Sequence, residues 1–188
     1  TLHIQLRTRT TKCRMGGSAQ KRLPGAWAGK GAPYTAYFSL LRATYTGSYS
    51  SCSVAPPALD KWNVGSVENM SGMFGYASVF NQPLNNWNVG SVENMSDLFN
   101  DASAFNQPLD NWNVGSVQNM SGMFSNSVAF NQPLNNWNVG RVENMSCMFY
   151  YAEAFVQPLD NWDVSNVKVM GHIFRGAVAM EQQPAWLL

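Results

Sequence analysis

Tryptophan recurs every 25 residues through the C-terminal two thirds of this chain, at Trp62, Trp87, Trp112, Trp137 and Trp162. A strict period of that length leaves few folds open. One such unit is too short to bury its own apolar face, so copies must stack and share a continuous core. The unit from Trp87 reads WNVGSVENMSDLFNDASAFNQPLDN. Unit 62–86 agrees with unit 87–111, and equally with unit 112–136, at 19 of 25 positions. Unit 137–161 keeps most of the pattern, while unit 162–186 keeps the skeleton and loses its Asn-Met-Ser and Phe-Asn-Gln-Pro-Leu details.

Inside each unit the apolar spacing changes period. Leu84, Trp87, Val89 and Val92 follow L-x-x-L-x-L, which predicts a short strand at Trp87–Gly90 with alternate residues inward. Met95, Leu98, Phe99 and Ala102 then fall at i, i+3, i+4 and i+7, the spacing of one face of a short helix. Asn94 stands where its side-chain oxygen would cap that helix. Pro108, in Asn106-Gln107-Pro108-Leu109, stops the helix and returns the chain. Stacking these coils predicts an indole column from Trp62 to Trp162, and a second column of Phe80, Phe105, Phe130 and Phe155.

The string W-N-V-x-x-V-x-N-M-S-x-M-F-x-x-A-x-x-F-N-Q-P-L, spread over roughly Trp62 to Phe174, resembles the repeat of BspA-type leucine-rich-repeat surface proteins. That is a bacterial surface-protein repeat of about 25 residues. Departures are Val156 and Val169 for Asn and Met180 for Phe. The resemblance implies a surface-displayed or secreted adhesion or protein-binding module with no catalytic residues to carry over. The expected fold is thus an α/β repeat: a leucine-rich-repeat-like solenoid with a parallel sheet and one short helix per 25-residue coil. Residues 59–188 form the expected array, and 1–58 a basic, non-repeat segment read as disordered or foreign to the array.

Charge supports that division. The total is +1, yet residues 1–61 carry nine Lys/Arg against Asp60 alone, and residues 62–188 carry three Lys/Arg against ten acids. The clustered Arg7, Arg9, Lys12, Arg14, Lys21 and Arg22 lack interleaved aromatics or an amphipathic helix, so no specific nucleic-acid partner is expected. No apolar run approaches the ~18 residues of a membrane span. Cys13, Cys52 and Cys147 are too few and too scattered for a disulfide framework or zinc site. The chain opens on Thr1 and reads as a fragment, so the missing leader says little about compartment. Cytoplasmic placement stays open beside the cell surface.

Enzyme chemistry needs irregular, convergent residues, whereas this sequence offers columns. His3 lies in the tail, and His172 holds the solvent-facing position shared by Gly72, Asp97, Gly122 and Cys147. No phosphate-binding, nucleophile-elbow or zinc-helix string occurs, so no catalytic residue, cofactor or metal is expected. The column Asp60, Asn85, Asp110, Asn135, Asp160 alternates acid with amide, which reads as charge avoidance. The Asn-Met-Ser triplets at Asn69, Asn94, Asn119 and Asn144 are formally glycosylation sequons, but the same Asn is the expected cap. One surface remains: Asn63, Asn88, Asn113, Asn138 and Asp163 beside Gly65, Gly90, Gly115 and Gly140, on the expected concave face. It is either a binding surface for a protein or glycan, or an inert hydrogen-bonded ladder. The readings this supports are an adhesive surface module, an intracellular adaptor, or a spacer without a ligand.

Overall fold

The computed structural model describes Leu59 and residues 62–187. The expectations for residues 1–58 lie outside those described.

The coils stack as the period requires, but the elements expected within each coil do not form. No α-helix and no strand occurs among the described residues, so the α/β solenoid with a parallel sheet is overturned. In its place each coil is a succession of tight turns. In the coil from Trp87, N–H groups of Trp87, Val92, Leu98, Ala102 and Phe105 bond carbonyls three residues back, at Leu84, Val89, Met95, Phe99 and Ala102. Direct parallel pairing shrinks to single bridges, Asn69 to Asn94, Asn94 to Asn119, Asn119 to Asn144 and Asn144 to Val169.

The expected helix fails for a backbone reason. Gly72, Asp97, Gly122, Cys147 and His172 have φ between 54° and 62°, and a second left-handed position follows four residues later at Tyr76, Asp101, Asn126, Tyr151 and Gly176. An α-helix tolerates no left-handed residue in its interior. The alternate N–H groups freed by these kinks bond the next coil instead, as in Met95 to Asn119 O at 2.9 Å and Phe99 to Met123 O at 2.9 Å. Asn94 still accepts a backbone N–H, that of Ser96 at 3.0 Å, but closes a turn with it rather than a helix. The expected strand at Trp87–Gly90 is likewise consumed by turns, since Asn88 Oδ1 takes the Gly90 N–H at 3.2 Å.

The inward pattern survives this change. Leu84, Trp87, Val89, Val92, Met95, Leu98, Phe99, Ala102 and Phe105 are all buried, as are their counterparts in the coils from Trp112 and Trp137, where Ser127 replaces Ala. The Ser127 hydroxyl is satisfied by donating to Phe99 O at 2.6 Å. Parallel indole pairs sit 6.3 Å apart for Trp62–Trp87 and 6.4 Å for Trp112–Trp137. The closest rings are phenylalanines: Phe99–Phe105 and Phe124–Phe130 stack at 4.0 Å. Phe74, Phe99, Phe124, Phe149 and Phe174 make a third aromatic column, with rings 5.5–5.6 Å apart, between the two expected ones.

Each indole is also tied down by its polar edge. Nε1–H of Trp87, Trp112, Trp137 and Trp162 donates to the buried carbonyls of Leu59, Leu84, Leu109 and Leu134, at 2.9–3.1 Å. The series continues past the expected column. Trp186, in the 3-10 turn Ala185–Leu187, donates to Leu159 O at 2.8 Å and stacks on Trp162 at 6.3 Å. Pro184 takes the buried place in the Leu column. Trp162 therefore has an indole beyond it, and the stack ends one position later than the spacing implied.

Candidate amide face

The five residues singled out from the sequence are brought onto one exposed column. Asn63, Asn88, Asn113, Asn138 and Asp163 are all exposed, while Val64, Val89, Val114 and Val139 beside them are buried. No sheet lies behind them, so the column is a row of turns and not the concave face of a sheet. Each Asn Oδ1 accepts the N–H of the glycine two residues on, at 3.2 Å for Gly65, Gly90, Gly115 and Gly140. Asp163 Oδ1 does the same for Ser165 at 3.0 Å. The Ser165 hydroxyl and N–H together hold the Asp163 carboxyl below its usual value.

The glycines let successive coils approach at this point. A methyl group on Gly65 would lie 3.3 Å from Asn88 Nδ2, and one on Gly90 would lie 3.5 Å from Asn113 Nδ2. The amide of each coil thus rests over the glycine of the coil before. Its oxygen is committed to its own turn, and its NH₂ lies against the glycine of the preceding coil. Alongside runs a second file that spacing did not single out. Ser91 and Ser116 hydroxyls donate to Gly65 O and Gly90 O at 2.8 Å, and Asn166 Nδ2 donates to Gly140 O at 2.7 Å. Arg141 interrupts this file with an exposed cation. Its replacement of the serine found in Gly-Ser-Val of the three preceding units was the available signal.

Other sequence candidates are placed as structure. Asn69, Asn94, Asn119 and Asn144 each take the N–H of the serine two residues on, at 2.9–3.0 Å. In the acid–amide column, Asn85 Nδ2 donates to Asp110 Oδ1 at 3.0 Å, so amide and carboxylate pair across neighbouring coils. A second amide ladder lies at the return: Asn81, Asn106 and Asn131 Oδ1 accept the N–H of Asn106, Asn131 and Val156, and also the Nε2 of Gln107, Gln132 and Gln157. Cys147 is a half-buried free thiol, and His172 is exposed. Among the described residues no group of three or more His, Cys, Asp or Glu is placed to hold a metal ion. No helix among them is long and apolar enough to cross a membrane.

A family model described as "Mycoplasma protein of unknown function, DUF285" matches residues 45–140 and, overlapping, 91–186. No curated protein and no solved structure matches the chain.

Proposed function

Because the chain belongs to the DUF285 family, a repeat-containing family whose description assigns no chemistry, we propose from its surface that it is a non-catalytic scaffold binding a protein or glycan through the amide strip. The observation carrying this is the shared exposure of Asn63, Asn88, Asn113, Asn138 and Asp163 over glycine, with the indoles beneath committed to the core. Exposed amides repeated from coil to coil suit a ligand rich in hydrogen-bonding oxygens. Each bond would contribute about 0.5–1.5 kcal/mol net, so affinity is moderate and spread over several coils. Kinship with BspA-type surface proteins, and with it display at the cell surface and a part in adhesion, belongs to the same proposal and is supported by the repeat string.

The whole chain, immobilised and screened against a glycan array and a phage-displayed protein library, provides the ligands for the test. Changing Asn88, Asn113 and Asn138 together to Lys should abolish their binding while far-UV circular dichroism stays unchanged. Reversing Glu68, Glu93 and Glu143 should do little. A folded triple variant that binds normally overturns the proposal. A spacer without a ligand is the second reading. It is favoured by one observation, that every Asn Oδ1 of the strip is already engaged by its own turn.

A further inference from the structure

The repeat is not equally regular over its whole surface. Across units 62–161, four positions carry three or more residue types, and every other position carries one or two. In the coil from Trp87 the four are Asp97, Asn100, Asp101 and Ser103, and in the coil from Trp137 they are Cys147, Tyr150, Tyr151 and Glu153. All belong to one stretch of each coil, and Leu98, Phe99, Ala102 and Phe105 around them are buried, so the variation falls on its outer side. Neighbouring positions touch. Asn100 Nδ2 donates to Asp97 Oδ1 at 3.3 Å, and the Tyr150 and Tyr151 rings meet edge-on at 4.6 Å. The amide strip, by contrast, keeps Asn and Gly through the same four units.

The tyrosines of this face are held at a cost. Tyr151 has φ of 51°, in the left-handed region that disfavours bulky side chains, and is 41% exposed. Asn126 and Gly176 hold the same position in the flanking coils, so the turn itself needs no tyrosine. A large side chain kept in a strained place that a small one can fill points to work done by that side chain. Its ring is also fixed in place. It lies over Gly176, where a methyl group would come within 2.7 Å of it. Charge adds a second bias. Asp97 and Glu153 are exposed and Asp101 half-exposed, and the ion pair among the described residues, Lys168 with Glu143, involves none of them. Residues 62–188 carry ten acids and three Lys/Arg, and of those cations Arg175 stands on this face, beside His172 in the last unit.

We propose that this variable face, from Asp97 to Glu153, is a docking surface for an arginine-bearing segment of a partner protein, separate from the amide strip. A guanidinium pairs with a carboxylate through its edge and stacks on a tyrosine through its flat face. Carboxylates and tyrosines on neighbouring coils therefore suit arginine, whereas a lysine ammonium brings the charge without the planar fork. Val128, exposed in the coil between, offers apolar contact to the stem of such a side chain. Because the four positions differ from coil to coil, they read one particular sequence, which a uniform strip does not do.

The test uses the whole chain and two fluorescein-labelled peptides of equal charge, one alternating Arg with Gly and one alternating Lys with Gly, read by fluorescence anisotropy. The Arg–Gly peptide should bind at least about threefold more tightly than the Lys–Gly peptide. Tyr150→Ser and Tyr151→Asn together install the residues that unit 112–136 uses at these positions. They should weaken Arg–Gly binding about three- to tenfold and leave the urea midpoint unchanged or raised, since a strained tyrosine is removed. Asp97→Asn, Asp101→Asn and Glu153→Gln together should weaken it about tenfold. A charge-matched control, Asp110→Asn, Asp160→Asn and Glu68→Gln, removes three acids elsewhere, each for a residue another unit carries there, and should change it less than about twofold. Equal binding of the two peptides, equal loss in the two acid variants, or binding untouched by the tyrosine changes overturns the proposal. So does concentration-dependent self-association that the Asp97, Asp101 and Glu153 changes abolish, because the arginines would then be those of a second copy. None of these substitutions alters the amide strip, so failure here leaves that reading standing.

Discussion

Replacing Trp112 by Ala tests whether the indole column holds the array together. Trp112 is 3% exposed, packs near-parallel to Trp137 at 6.4 Å, and donates Nε1–H to the buried Leu84 carbonyl at 2.9 Å. Truncation removes the ring and opens a cavity, about 3–5 kcal/mol for a buried aromatic. It also removes one of two hydrogen bonds to the Leu84 carbonyl, which keeps the Trp87 N–H at 3.0 Å, for about 0.5–1.5 kcal/mol more. The sum, about 3.5–6.5 kcal/mol, is a large part of the roughly 5–15 kcal/mol that holds a typical domain folded. Trp186→Ala is the comparison. That ring makes the same kind of bond to Leu159, but it is only half-buried and lies at the end of the stack, so about 2 kcal/mol should be lost. Trp112→Phe keeps an aromatic ring and isolates the missing donor. Urea unfolding followed by far-UV circular dichroism measures all three. Losses at Trp112 and Trp186 that agree within about 0.5 kcal/mol would mean that interior indoles are no more important than a terminal one, and the ladder argument would fail.

Two further substitutions probe the turns. Gly122 has φ of 62°, and a methyl group there would collide with Asp97 Oδ1, so Gly122→Ala should destabilise by about 1–3 kcal/mol. Adding Asp97→Ala should recover part of that loss in the same denaturation assay; no recovery would show the cost to be backbone strain alone. Asn106→Ala removes the acceptor for the Asn131 N–H and Gln132 Nε2, and should cost about 1–3 kcal/mol; an unchanged unfolding midpoint would show water replacing the ladder at no loss.

The residues facing the core were legible because apolar periodicity reports direction. Met95, Leu98, Phe99 and Ala102 point inward as the helical spacing implied. Periodicity does not report where the N–H groups go, and here they go to the next coil, which no single unit reveals. A clue lay in the types at the left-handed positions: Gly72, Gly122, Asp97, Asp101 and Asn126 tolerate that conformation, though Tyr76, Cys147, Tyr151 and His172 hid the pattern. The amide column was legible from the Asn-x-Gly repeat itself. What was not visible was that each amide oxygen closes its own turn. Trp186 was missed because it stands 24 residues after Trp162, one short of the period. Its bond to Leu159 O and its stacking on Trp162 show it to be the next ring of the column.

The hydrogen bonds between successive coils also have a mechanical consequence. They lie along the axis of the stack, so a pull on the two ends loads all bonds of a junction together, in tension. A junction that yields frees one 25-residue unit, which lengthens the tether by roughly 80–90 Å when drawn straight. The remaining coils keep their contacts. Extension under load would come in equal steps, each set by the repeat length, so the array can act as a strain absorber that gives way one coil at a time.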